Sequence, residues 1–206
     1  MADLSFIHRL VAGDTNRPPL LLLHGTGGDE NDLIKLGQTI APDATLLAPR
    51  GKVLEGGMPR FFRRLSEGVF DEDDVRKRAD ELADFVDDAR KAYNLAAPVA
   101  LGFSNGANIA AAILLRRPQT FAGAALLRAM VPLPDQPVAG LAGKPVLILS
   151  GSMDPIAPPE NAARLAAILK GAGAAVEHRS LPASHGLSQA DIMLTREWLA
   201  RLPVTA

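Results

Sequence analysis

The sequence predicts an α/β fold: a mainly parallel central sheet with helices packed on both of its faces. Three observations predict it. Short apolar runs alternate along the chain with longer stretches of helical periodicity. One of them, Leu20–Leu23, is apolar at every position rather than every second one, as a strand covered on both faces is. The 206 residues, 48% of them apolar, suit one domain with a substantial core, spanning 1–206.

The elements follow in order. Residues 6–11 are expected to add an edge strand. Leu20–Leu23, after Pro18-Pro19, is a continuous apolar run and reads as a buried strand. Ala44–Ala48 reads as the next. Pro49–Phe70 fits no element; it is rich in Gly and Arg, and stretches this long without structure tend to be functional. From Val75, the apolar positions Ala79, Leu82, Val86, Ala89 and Tyr93 form one face at helical spacing. Asp71 is placed to cap that helix, and Glu72-Asp73-Asp74 suits the positive end of its dipole. Ala97–Phe103 is a strand candidate, then Asn105–Arg116 a helix stopped by Pro118. Phe121–Leu127 and Val146–Ser150 are strands. Glu160–Lys170 is a helix with Pro159 near its start and Gly171 past its end. Ala174–Arg179 is the last strand and Ser188–Leu202 the last helix. In such sheets ligands bind at the carboxyl ends of the strands. No repeat or low-complexity linker interrupts this order.

Composition excludes several function classes. The formal charge is −1, which leaves no electrostatic footprint for nucleic acid or an anionic membrane. There is no cysteine, so disulfides, thiolate nucleophiles and Cys-ligated metals are excluded. Residues 1–6 lack the basic and apolar regions of a secretory signal, and no apolar run approaches a membrane span. A cytoplasmic protein without stable membrane insertion is expected.

Gly102-Phe103-Ser104-Asn105-Gly106 fits G-x-S-x-G. A serine on a tight strand-to-helix turn crowds the positions two residues away on either side, which must then be small. The turn lifts Oγ clear of the sheet. The motif needs a strand before it and a helix after it, and both are predicted here.

A serine hydroxyl is a weak nucleophile without a base. In this type of site the partners follow in the order Ser, acid, His. Two histidines come after Ser104. His178 lies inside a strand pattern, where a structural role suits it. His185, in Pro182-Ala183-Ser184-His185-Gly186, lies in a loop past a strand end and is the candidate base. Asp154, in the turn Gly151-Ser152-Met153-Asp154-Pro155, is the candidate acid, to accept from the imidazole and hold its tautomer. An ordinary Asp-Pro turn is the alternative there, and Asp135 is the rival acid. A tetrahedral oxyanion needs two N–H donors. Asn105, directly after the serine, is one candidate. The loop His24-Gly25-Thr26-Gly27-Gly28 offers the other, through the Thr26 amide. His24 itself precedes Ser104 and is expected to pack and hydrogen-bond within the loop. A phosphate loop is excluded, since neither G-x-G-x-x-G nor Gly-Lys-Ser/Thr is present.

Together these pieces resemble the carboxylesterase/phospholipase family of α/β hydrolases, which includes the acyl-protein thioesterases. The matching segments are Leu23–Gly28, Ala48-Pro49-Arg50-Gly51, Gly102–Gly106, Gly151–Pro158 and Ser184-His185-Gly186, in the family's order along nearly the whole chain. The resemblance implies the α/β-hydrolase fold without a large cap domain. It implies the triad Ser104, Asp154 and His185, oxyanion amides from Thr26 and Asn105, and no metal or organic cofactor. It implies a carboxylic ester or thioester substrate of short to medium acyl chain. A lysophospholipase or acyl-protein-thioesterase-like deacylase is the alternative, as is a non-catalytic binding protein on the same fold. A homodimer is left open. Family members often carry Gln where this chain has Asn105, and a Trp-containing run where it has Gly56–Arg64. That second departure resembles a bacterial carboxylesterase subgroup.

The substrate is expected to meet the loops around Ser104. Gly25, Phe61 and Phe62 are candidate pocket residues on one side, Met130, Val131 and Leu133 on another. Burial in the core is the alternative for each apolar one. Arg60, Arg63 and Arg64 could face an anionic group or pair with a helix.

Overall fold

The computed structural model describes residues 4–14, 16–135 and 140–202. In chain order the elements are β1 (His8–Val11), β2 (Leu20–Leu23), α1 (Ile34–Ile40) and β3 (Leu46–Pro49). Two hairpins follow, β4 (Val53–Glu55) with β5 (Met58–Arg60), and β6 (Arg64–Ser66) with β7 (Val69–Phe70). Then come α2 (Glu72–Tyr93), β8 (Val99–Phe103), α3 (Asn105–Arg116), β9 (Gly123–Leu127), β10 (Pro145–Gly151), α4 (Pro159–Gly171), β11 (Ala175–Leu181) and α5 (Gln189–Ala200).

The main sheet has seven strands in the order β1-β3-β2-β8-β9-β10-β11. Only β1 is antiparallel, pairing Arg9 with Ala48 and Val11 with Leu46. The other six strands run parallel, which puts all their carboxyl ends on one edge. This is the mainly parallel sheet that the alternation of patterns predicts, in the α/β-hydrolase arrangement that the family resemblance implies. The continuous apolar runs follow from two-sided burial. Leu21 and Leu23 point into one core, with Val75, Leu82, Ile109 and Leu165 from α2, α3 and α4. Leu20 and Leu22 point into the other, with Ile34 and Ile40 of α1 and Trp198 of α5.

Every residue of α3 from Asn105 to Leu115 is buried. A helix apolar all round belongs inside, and its alanines at 107, 110, 111 and 112 let it lie close to the sheet and under α2. Asp71 caps α2 as its position predicts: its carboxylate accepts from the Asp74 N–H at 3.1 Å. Two features depart from expectation. The seven-residue α1 is too short, and too interrupted by Gly37 and Thr39, to show helical periodicity. Pro49–Phe70 is not without structure: past the end of β3 it folds into the two hairpins.

Candidate active site

Ser104 sits where β8 turns into α3. Its backbone is strained, with φ 52° and ψ −113°. Such a conformation costs about 1–3 kcal/mol and persists only where the surroundings impose it. Here the Ser104 N–H donates to Leu127 O at 2.8 Å, and the Ser104 carbonyl accepts from Asn108 N–H at 2.9 Å. The glycines explain the spacing of the motif. A Cβ on Gly106 would lie 2.0 Å from Leu23 O, and one on Gly102 would lie 2.6 Å from Gly106 O. Strand, turn and helix approach each other too closely for any side chain at these two positions.

His185 stands on the loop between β11 and α5. Its Nε2 is 2.9 Å from Ser104 Oγ. Its Nδ1 is 2.8 Å from Asp154 Oδ2 and 3.1 Å from Oδ1. The Asp154 side chain is inaccessible to solvent. Its Oδ1 also accepts from the Ile156 and Ala157 N–H groups, at 2.8 and 2.9 Å. A carboxylate held by two amides cannot turn away from the imidazole. The rivals lie elsewhere. His178 bonds Ser150 Oγ at 3.0 Å between β11 and β10, and Asp135 is exposed on the loop after β9.

The His24–Gly28 loop follows β2, beside the start of α3. Among the described residues, neither the Thr26 nor the Asn105 amide is spent on a protein acceptor. Gly25 is buried against Phe103, off the cavity wall, and its carbonyl accepts from Gly28 N–H and from the His24 ring. His24 is buried. Its Nδ1–H donates to Gly25 O at 2.7 Å and its Nε2 accepts from Gly51 N–H at 3.0 Å. These partners require the neutral imidazole, and burial holds its pKa below the ordinary histidine value. His24 thus ties the loop to the chain just past β3, a longer reach than packing within the loop.

A cavity of about 250 Å³ opens over Ser104 and His185, lined among others by Thr26, Phe70, Phe103, Met130 and Ile156. Its aromatic walls are Phe70 and Phe103, not Phe61 and Phe62. Those two point into the core beneath α2, with exposures of 3% and 0%. Val131 and Leu133 are likewise core residues. Arg60 is on the wall although nearly buried. Its Nη1–H donates to Thr26 Oγ1 at 2.9 Å, and Nε lies 3.2 Å from both Phe62 O and Glu55. Burial lowers its pKa. Arg64 also lines the cavity and shares Glu55 at 2.8 Å. Arg63 instead faces solvent and pairs with the α2 cap, Asp71, at 2.9 Å.

The model of the phospholipase/carboxylesterase family matches residues 10–202. The chain belongs to that family. It is 47% identical over 181 residues to MhqD of Bacillus subtilis (strain 168), named as a hydrolase, a match covering 87% of this chain and 90% of that one. The crystal structure of a Bacillus cereus carboxylesterase superposes with a TM-score of 0.94 at 42% identity, over 97% of this chain and 95% of that chain. A Mesorhizobium loti carboxylesterase does so with 0.92 at 34% identity, over 98% of each.

Within this phospholipase/carboxylesterase-family site, sequence reasoning missed how the walls are hung. Asn105 Oδ1 accepts from Phe61 N–H at 2.7 Å, and one turn along α3 Asn108 Oδ1 accepts from Met130 N–H at 2.8 Å. Two side chains on one face of one helix therefore fasten the Met130 wall, and the backbone just past the Arg60 wall, to the element that carries Ser104. The spacing Asn105-x-x-Asn108 was the available signal: polar residues at i and i+3 on an otherwise apolar helix.

Proposed function

We propose that this family member is a serine carboxylesterase that cleaves short to medium acyl esters or thioesters through an acyl-enzyme on Ser104. One observation carries the reading: the unbroken hydrogen-bond chain from Ser104 Oγ through His185 to the buried Asp154, at 2.9 and 2.8 Å. His185 Nε2 takes the hydroxyl proton as Oγ attacks the carbonyl carbon. Asp154 holds the imidazole with its Nδ1–H toward the carboxylate and stabilises the imidazolium. The oxyanion receives the amides of Thr26 and Asn105. As the tetrahedral species collapses, His185 returns the proton to the departing alcohol or thiol. Water then attacks the acyl group by the same route, and Ser104 is released with a free acid.

The cavity, at about 250 Å³, is at or below the smallest ligand pockets. That favours short chains over long lipid tails.

The test is turnover of p-nitrophenyl esters across an acyl-length series, with labelling by a fluorophosphonate. Ser104→Ala and His185→Ala are expected to lose on the order of 10⁶ in kcat, and Ser104→Ala to lose the label. Full activity in Ser104→Ala would overturn the reading. A maximum at long acyl chains would favour a lysophospholipase or acyl-protein deacylase instead.

A further inference from the structure

Arg128 heads the fully buried side chains by size. It follows β9 directly, with a backbone φ of +59°, a conformation uncommon for a residue with a side chain. A guanidinium has five N–H donors, and here all five are used. Nη1 and Nη2 grip Asp191 at 2.8 and 2.9 Å, Nε donates to Ser184 O at 3.0 Å, Nη2 to Gly186 O at 3.0 Å and Nη1 to Leu149 O at 3.3 Å. Two of those acceptors, Ser184 and Gly186, are the residues on either side of His185.

We infer that Arg128, with Asp191 as its fixed counter-charge, is the positioning residue for His185. This rests on the reading of His185 as the base for Ser104. His185 belongs to no strand or helix, so its own chain does little to fix it. The clamp does. Arg128 holds the carbonyls before and after the imidazole, and Asp191 is anchored by the Ser188 N–H and hydroxyl at 2.8 and 2.7 Å, where α5 begins. The same short stretch also touches the other two members of the site. Arg128 N–H donates to Leu149 O on β10, the strand that leads to Asp154, and Leu127 O accepts from Ser104 N–H. Nucleophile, acid and base are thus referenced to one point at the end of β9. Lysine could not substitute: it has no planar fork to reach a carboxylate and two carbonyls at once.

A buried ion pair is weak evidence for stability, because desolvation of both charges offsets their attraction. Exchanging the whole pair for apolar residues leaves no lone buried charge, and melting measured beside kcat separates positioning from folding. The variants are Arg128→Lys and the double Arg128→Met/Asp191→Leu. Each is measured for thermal melting, kcat and KM on p-nitrophenyl acetate, and the downfield proton resonance of the His185 Nδ1–H. Both are expected to melt cooperatively, to lose about 10- to 100-fold in kcat with KM within about threefold, and to broaden or lose the downfield signal. A double variant that folds and keeps kcat within about twofold of the parent overturns the clamp. If the double variant does not fold, Arg128→Lys decides by the same criteria. Ser104→Ala measured in parallel keeps the two failures apart. An active Ser104→Ala sinks the nucleophile reading and the clamp with it, whereas a dead Ser104→Ala beside a fully active double variant sinks the clamp alone.

Discussion

At the scale of single residues, the site depends on side chains held by several hydrogen bonds at once. Asp154 accepts from two amides and from His185. In Asp154→Asn the amide is held in the same place but can present an N–H to Nδ1, which favours the wrong tautomer. A fall in kcat of about 10⁴ is expected, as at other triads, with KM little changed in steady-state assays. Asn108 behaves differently, because it touches the cavity wall and not the reacting atoms. Asn108→Ala leaves the buried Met130 N–H without an acceptor, at a cost of about 1–3 kcal/mol. The wall then loosens, so KM is expected to rise by a larger factor than kcat falls. A lowered melting temperature with unchanged KM would show that the bond serves stability alone.

At the scale of elements, the strand-turn-helix unit of β8, Ser104 and α3 tolerates the least. Gly106→Ala drives a methyl group into the Leu23 carbonyl, so the elbow must open. Loss of activity together with a destabilisation of several kcal/mol, read by urea unfolding, is expected; overpacking alone typically costs about 1–3 kcal/mol and here backbone must move. The cap of α2 gives the contrasting outcome. Asp71→Ala removes one side-chain acceptor and an exposed ion pair with Arg63. It is expected to cost about 1 kcal/mol and to leave kcat/KM unaltered, because the Asp71 carboxylate bonds Arg63 and the Asp74 N–H, and neither residue lines the cavity. The hairpins between β3 and α2 were illegible for a local reason. Their strands are two or three residues long, too short for alternation to register. Their turns did leave a trace: Gly56 and Gly57 sit at φ 58° and 82°, the pair that a two-residue hairpin loop demands.

At the scale of the whole molecule, several buried groups make stability fall with acid. His24 has a folded pKa below its unfolded one, because burial disfavours the imidazolium and Nε2 must accept from Gly51. The unfolded chain therefore takes up the proton first, and stability is complete above the unfolded histidine value of about 6.5 and declines below it. His178, lowered by burial and then by Lys170, acts in the same direction. Burial alone would raise the pKa of Asp191, but the bonds from Arg128 and Ser188 outweigh it and hold the carboxyl low. Its contribution is present above the unfolded carboxylate value of about 3.9 and is lost as pH drops through the lower folded one. Thermal melts are expected to show a falling midpoint from pH 7 to pH 5, with a shallower fall in His24→Gln. A flat profile would contradict the assignment. No helix among the described residues is long and apolar enough to cross a membrane.

Strand order along the chain, the Asp71 cap and the serine turn were legible in the sequence because each depends on neighbours within a few residues, whereas Gly171, expected past the end of its helix, is the last residue of α4 and Ala172 follows as its cap. Two-sided burial writes continuous apolar runs, and a crowded turn admits only glycine beside it. The order Ser104, Asp154, His185 was legible too, since loops after successive parallel strands open on one edge. What only the tertiary structure decided is whatever joins distant segments at one point. Phe61 and Phe62 look like pocket walls by position, yet α2 covers them, and Phe70 and Phe103 take their place around the cavity. Arg128 and Asp191 are 63 positions apart and look like two ordinary surface charges in the sequence. Only the closing of α5 over β9 and β10 brings them together, where the buried guanidinium finds an acceptor for every proton it carries.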